Sequence, residues 1–252
     1  MGPEKFSPDQ WVFLDWGTFQ LNATIVFTWV VMALLVVLSW LGTRNLSSGK
    51  QMTRWQNLLE TVVVFLRREI RQLSNQDPDA YLPFIGTLFI FIALSSILSV
   101  IPGFAVPTAS IMTTLALAVC VLVGVPLYGI RNLGFMNYLR NYVRPTPLML
   151  PFNLIGEISR TAALAIRLFG NMLSGVKIIS VLSIVAPIVA PIVMNAFGLL
   201  VGMIQAYIFA LLAMVYIASG MQREEERRLK MNVATAMTEA PGGKDDKQNS
   251  NP

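Results

Sequence analysis

Apolar residues in this chain come in runs of 18 or more, the length a helix needs to cross the roughly 30 Å hydrocarbon core of a bilayer. With 54% hydrophobic and 13% charged residues in 252, the chain reads as an all-α polytopic membrane protein. The net charge of +5 does not point to nucleic acid, because the basic residues fall in the loops between apolar runs. Arg44, Lys50, Arg54, Arg67, Arg68 and Arg71 follow the first run; Arg131, Arg140 and Arg144 follow the third; Arg223, Arg227, Arg228 and Lys230 follow the last, and the intervening connections carry none. That alternation predicts about five membrane-embedded helices, with the N-terminus outside and the C-terminus cytoplasmic; the expected location is the cell (inner or plasma) membrane. Glu4, Asp9 and Asp15 give the first 20 residues the wrong charge for a cleaved signal, so the first span is expected to be a retained anchor.

The runs divide the chain into five parts. Residues 1–20 form an outer N-terminal segment and 21–129 a three-span anchor, with spans over about 21–42, 81–101 and 109–129. Within it Trp55, Leu58, Leu59, Val62, Phe65, Leu66, Ile70 and Leu73 recur at helical spacing, which predicts a surface amphipathic helix over 55–73. Residues 130–150 connect on the inner side, and 151–221 make a long tilted hairpin. No proline interrupts Pro151 to about Ile184, so a helix of roughly 34 residues would run about 50 Å and must tilt or bend. Pro187 and Pro191 break it, and a second helix returns over about Ile192–Met221. Residues 222–252 read as an inner polar tail, without apolar period from about 231.

Absences narrow the chemistry. The chain has no histidine, which excludes an imidazole relay, a His-ligated metal and a Ser-His-Asp hydrolase. Its single Cys120 builds neither a disulfide framework nor a metal site. No cofactor or metal is expected.

One residue stands out against that background. Arg167 lies in the middle of the first hairpin helix, and a guanidinium cannot shed its charge. Such a charge at membrane depth costs from roughly 2.5–3.5 kcal/mol on insertion scales to well over 10 in simulation, so it normally faces a carboxylate or a water-filled path. At 100° per residue Asn153, Glu157, Arg160, Asn171 and Ser174 share its arc, beside a strip of small residues, Gly156, Ala163 and Gly170, that would admit a close neighbour. On the returning helix Asn195, Gly198, Gly202, Gln205 and Tyr216 share a face, and Gln205 could hydrogen-bond Arg167 without neutralising it. Structural readings stand beside these. Asn171 and Gln205 can be plain interhelical hydrogen bonds, Glu157 and Arg160 a self-satisfied pair, Ser159, Thr161 and Ser174 hydroxyls bonded to their own helix, and Lys177 a snorkelling cation.

Arg167-Leu168-Phe169-Gly170-Asn171-Met172, followed by Gln205-Ala206-Tyr207-Ile208-Phe209 and Val215-Tyr216-Ile217, resembles subunit a of the rotary F-type ATP synthases over about residues 55–220. The resemblance implies a non-catalytic stator subunit in which Arg167 opposes the carboxylate of a rotating c-subunit ring, Gln205 is its partner and Asn171 the motif asparagine. It implies further partners in b-type peripheral stalk subunits, the lipid bilayer and, indirectly, the catalytic head. Val176 and Gly198 occupy positions where many members carry a glutamate or a histidine, and Ser110 and Met112 replace acidic and amide residues. This pattern is similar to the subgroup thought to pump sodium.

On that reading Asn153, Glu157 and Arg160 belong to an inner ion path and Ser110, Thr113, Thr114, Asn195 or Lys177 to an outer one. The proton is the expected coupling ion and sodium the alternative. A stand-alone secondary ion transporter remains the rival from another class, and a structural membrane anchor a third.

Overall fold

The computed structural model describes residues 12–16, 19–44, 54–74, 77–101, 104, 106–136 and 149–239. Six long helices account for most of them: α1 (Ala23–Arg44), α2 (Arg54–Ser74), α3 (Leu82–Leu98), α4 (Ile111–Leu133), α5 (Met149–Val185) and α6 (Val189–Glu239). Stretches of α1, α4, α5 and α6 are long and apolar enough to cross a membrane, and α3 is a shorter apolar helix. The chain is thus an all-α polytopic membrane protein. A two-stranded antiparallel hairpin, β1 (Val12–Trp16) and β2 (Phe19–Asn22), precedes α1.

Helix α3 is central, packed against α6. Its Ile85, Ile92 and Phe91 enter one core with Leu164 and Leu168 of α5, Val121 of α4 and Phe209, Met214 and Ile217 of α6. Ala206, Ala210 and Ala213 are all buried, and small residues are what lets membrane helices approach closely. At Gly202 the approach is tightest, since a Cβ there would stand 2.7 Å from Ser96 Oγ. Helix α1 is peripheral: Val31 reaches the core, while Trp29, Val36 and Trp40 stay exposed, as a lipid-facing surface would.

The amphipathic helix expected over 55–73 is α2, but its inward face is not left to lipid. Leu66 and Ile70 are buried, and the helix contacts α3 and α6. Leu59, Val63 and Val64 remain exposed beside Arg67 and Arg68. Arg67 also pairs with Asp79 at 2.7 Å next to the turn Pro78–Ala80. Both side chains are about half exposed, so the pair contributes little.

Two boundaries differ from expectation. The second span is 17 residues, Leu82–Leu98, rather than about 81–101. The last helix does not stop at Met221, and the tail expected to be irregular from about 231 is helical to Glu239. Propensity explains it: Glu, Arg, Lys, Met and Ala are good helix formers, and Glu224 with Arg228 and Glu226 with Lys230 stand in the favourable i,i+4 order. The rest of the tail lies outside the described residues.

Candidate functional site

The turn between Val185 and Val189 brings α5 and α6 side by side, and the end of α3 comes in beside them. Where these elements converge with the connection after α3 they form a half-open cavity of about 420 Å³. Its polar wall is Ser99, Asn171, Ser174 and Asn195, and Val176 and Gly198 also line it. Among the described residues, no ionisable side chain contributes to that wall.

Helical register relates the cavity to the two residues singled out in the sequence. Arg167 is four residues, about one turn or about 6 Å, deeper along α5 than the lining Asn171. Gln205 is four residues deeper along α6 than the lining Val201. Both therefore stand one turn below the cavity wall. Their environments differ: Gln205 is 5% exposed, whereas Arg167 is exposed beside Ile166, itself 66% exposed. The hydrogen bond expected between them is not made, and Gln205 Nε2 is buried without a partner. No carboxylate among the described residues pairs with Arg167.

The small-residue strip looks outward. A Cβ at Gly156 or Gly170 would meet nothing within 4 Å, and Ala163 between them is exposed. Among the described residues, no helix uses the close approach that the strip permits. Val193, Phe197, Leu200 and Ile204 of α6, spaced by four, three and four, are likewise exposed. Large apolar area is thus left uncovered along both arms of the hairpin.

On the other side of Arg167, Asn153 and Glu157 are half-buried and Arg160 is exposed. They lie seven to fourteen residues back along α5, about 10–21 Å from Arg167 and away from the cavity. Thr161 donates to the Glu157 carbonyl at 2.9 Å, and Ser174 to the Asn171 carbonyl at 3.0 Å. Tyr216 packs against the core, eleven residues or about 16 Å beyond Gln205, and is not part of the cavity group.

The remaining outer-path candidates separate. Asn195 lines the cavity. Thr113 instead lines a groove of about 820 Å³ between α1, α3 and α4, together with Trp40, Phe84 and Cys120. Ser110 and Thr114 are buried, and the Thr114 hydroxyl donates to the carbonyls of Ser110 and Ile111, at 3.2 and 3.0 Å. Lys177 is exposed and outside the cavity wall. Sequence reasoning passed over Ser99, because a serine at a helix end has many local uses and only the meeting of three helices gives it another.

Comparison with known proteins gives a consistent result. The ATP synthase A chain family matches residues 25–218. Subunit a 2 of the ATP synthase of Acaryochloris marina is 56% identical over 219 residues, covering 87% of this chain and 94% of that protein. Subunit a 1 of Crocosphaera subtropica is 54% identical, covering 88% and 96%, and subunit a of Albidiferax ferrireducens 55%, covering 85% and 93%.

Proposed function

Because the chain belongs to the ATP synthase A chain family, we propose that it is the ion-conducting, non-catalytic stator of that complex's membrane sector, with Arg167 facing the carboxylate of a c-subunit ring. The observation that carries this reading is the position of Arg167, an uncompensated permanent charge on an exposed face one turn from a polar cavity.

A rotor carboxylate crosses hydrocarbon only when a proton or sodium ion neutralises it. Next to Arg167 its ionised form is favoured, so the ion leaves. The cavity serves as the access path from the hairpin-turn side, which is the outer side on the loop-charge alternation. Asn153, Glu157 and Arg160 line access from the cytoplasmic side. With the two paths offset, each ion rides the ring between them, and Arg167 blocks the direct leak. Asn171 lines the cavity one turn from Arg167, Gln205 places an unpaired amide at the same depth on the returning helix, and b-type stalk subunits fix the stator to the catalytic head. The uncovered hairpin face supports the rotor contact: Gly156 and Gly170 leave room for another subunit's helix. A stand-alone transporter would need no such outward face. Gentle detergent purification tests the reading: a small, very apolar two-helix subunit should copurify as a ring, and a chain isolated alone from intact membranes would contradict it.

The neutral cavity wall favours sodium as a second reading for the coupling ion. Ser99, Asn171, Ser174 and Asn195 offer oxygens suited to solvating a hard cation and no group that titrates near neutrality. Millimolar sodium should then stimulate ATP hydrolysis and slow carbodiimide labelling of the rotor carboxylate. Indifference of both to sodium from neutral to alkaline pH leaves the proton.

A further inference from the structure

Charge is almost absent from the part of the chain that surrounds Arg167. No charged residue lies between Asp79 and Arg131, and between Arg167 and Arg223 there is Lys177 alone. Helix α3, the connection after it, α4 as far as Ile130 and the apolar length of α6 are therefore neutral, and Lys177 is the one formal charge on α5 beyond Arg167. The acids Glu4, Asp9 and Asp15 precede α1, the peripheral helix.

The place of Lys177 on α5 gives that charge a direction. Gly156, Ala163, Gly170 and Lys177 are spaced by seven, and a seven-residue step drifts only about 20° around a helix. Lys177 thus ends the outward strip of small residues, and like Ala163 and Gly170 it is exposed. Its chain neighbours Val176 and Ile178 line the cavity, whereas Lys177 does not. No carboxylate among the described residues comes within ion-pair reach of it. Helix α5 runs on for eight residues, about 12 Å, to Val185, so Lys177 lies within the hairpin arm and not at its tip.

We propose that Lys177 tunes the rotor's affinity for its ion on the outer side: from the strip that faces the ring, its charge favours the ionised rotor carboxylate. The inference rests on the stator reading above and adds a residue that acts on the ring through its field, without touching the ion or lining the cavity. A rotor carboxylate between the levels of Asn171 and Arg167 is six to ten residues along α5 from Lys177, about 9–15 Å. One unit charge at that distance, with an effective dielectric constant of about 20, changes an ion's affinity by roughly five- to twentyfold. No acid on α3, α5 beyond Arg167 or the apolar length of α6 offsets it. Ions therefore load from the outer side only at higher concentration, and leave toward it more readily.

ATP synthesis by the whole complex tests this in vesicles that carry the catalytic head on their outer surface, so that the lumen stands for the outer side. A fixed potassium diffusion potential drives synthesis while the lumenal concentration of the coupling ion, proton or sodium, is varied. Lys177→Gln should lower the apparent KM for the lumenal ion about fivefold or more, with the maximal rate and the thermal stability of the complex close to the parent's. Lys177→Arg should restore the parent KM, and Lys177→Glu should lower it further than Lys177→Gln. A parent KM in Lys177→Gln overturns the proposal, because the ammonium is then neutralised by lipid phosphate or stands away from the ring. Lys177→Arg behaving like Lys177→Gln also overturns it, since shape and not charge then matters. Neither result touches the stator reading, which fails separately if Arg167→Ala still supports ion-driven synthesis.

Discussion

The Tyr207 hydroxyl donates a hydrogen bond to Glu69 Oε2 at 3.1 Å, joining the surface helix α2 to the hairpin two residues from Gln205. Phe65, one turn before Glu69, sets its ring against Tyr207 with centroids 5.6 Å apart. The amphipathic helix is therefore tied to the arm that carries Gln205, and a shift of one is felt by the other.

Tyr207→Phe keeps the ring contact and loses only the hydrogen bond, so it should lower the stability of the assembled complex by about 1 kcal/mol and leave pumping largely intact. Tyr207→Ala loses both contacts and should cost more in each respect. Thermal unfolding and pumping measured on the two variants check the order, and equal losses would show that the ring contributes nothing.

Gly202→Ala should destabilise the packing of α3 on α6 by about 1–3 kcal/mol, because its Cβ would stand 2.7 Å from Ser96 Oγ and 2.8 Å from Ser96 Cβ. Adding Ser96→Gly makes room and should recover most of the loss. Gly156→Ala and Gly170→Ala meet open space and should leave the isolated subunit as stable as the parent. A pumping defect in those two variants would then report on the rotor contact. Thermal melts of the four variants in detergent make the comparison.

Gln205→Leu should reduce pumping about three- to tenfold, the scale of one hydrogen bond inside a membrane, while Gln205→Asn and Gln205→Glu retain part of it. Pumping by the Leu variant at the parent rate would show that the buried amide has no part in translocation.

Much of this arrangement was legible in the chain. Apolar runs predict the helices and prolines 187 and 191 the hairpin turn, both of which the fold has; an arginine in an apolar helix is the signal on which the proposed site rests. What escaped depends on which helix faces which. Thr113 and Asn195 read alike as outer-path residues, yet one belongs to the groove under α1 and the other to the cavity. The outward turn of Gly156 and Gly170 and the packing of α2 on α6 were hidden for the same reason. The β-hairpin carried a local signal that went unused: two residues, Gly17 and Thr18, separate the aromatic-rich segments ending at Trp16 and starting at Phe19.

The central claim is that the charge at Arg167 strips the ion from the rotor. ATP-driven ion pumping into vesicles holding the complex with Arg167→Lys tests it most directly, because lysine keeps the size and nominal charge but can lose its proton in an apolar site and lacks the planar fork. The account predicts that Arg167→Lys fails largely and Arg167→Ala entirely. Near-normal pumping by the Lys variant would contradict it.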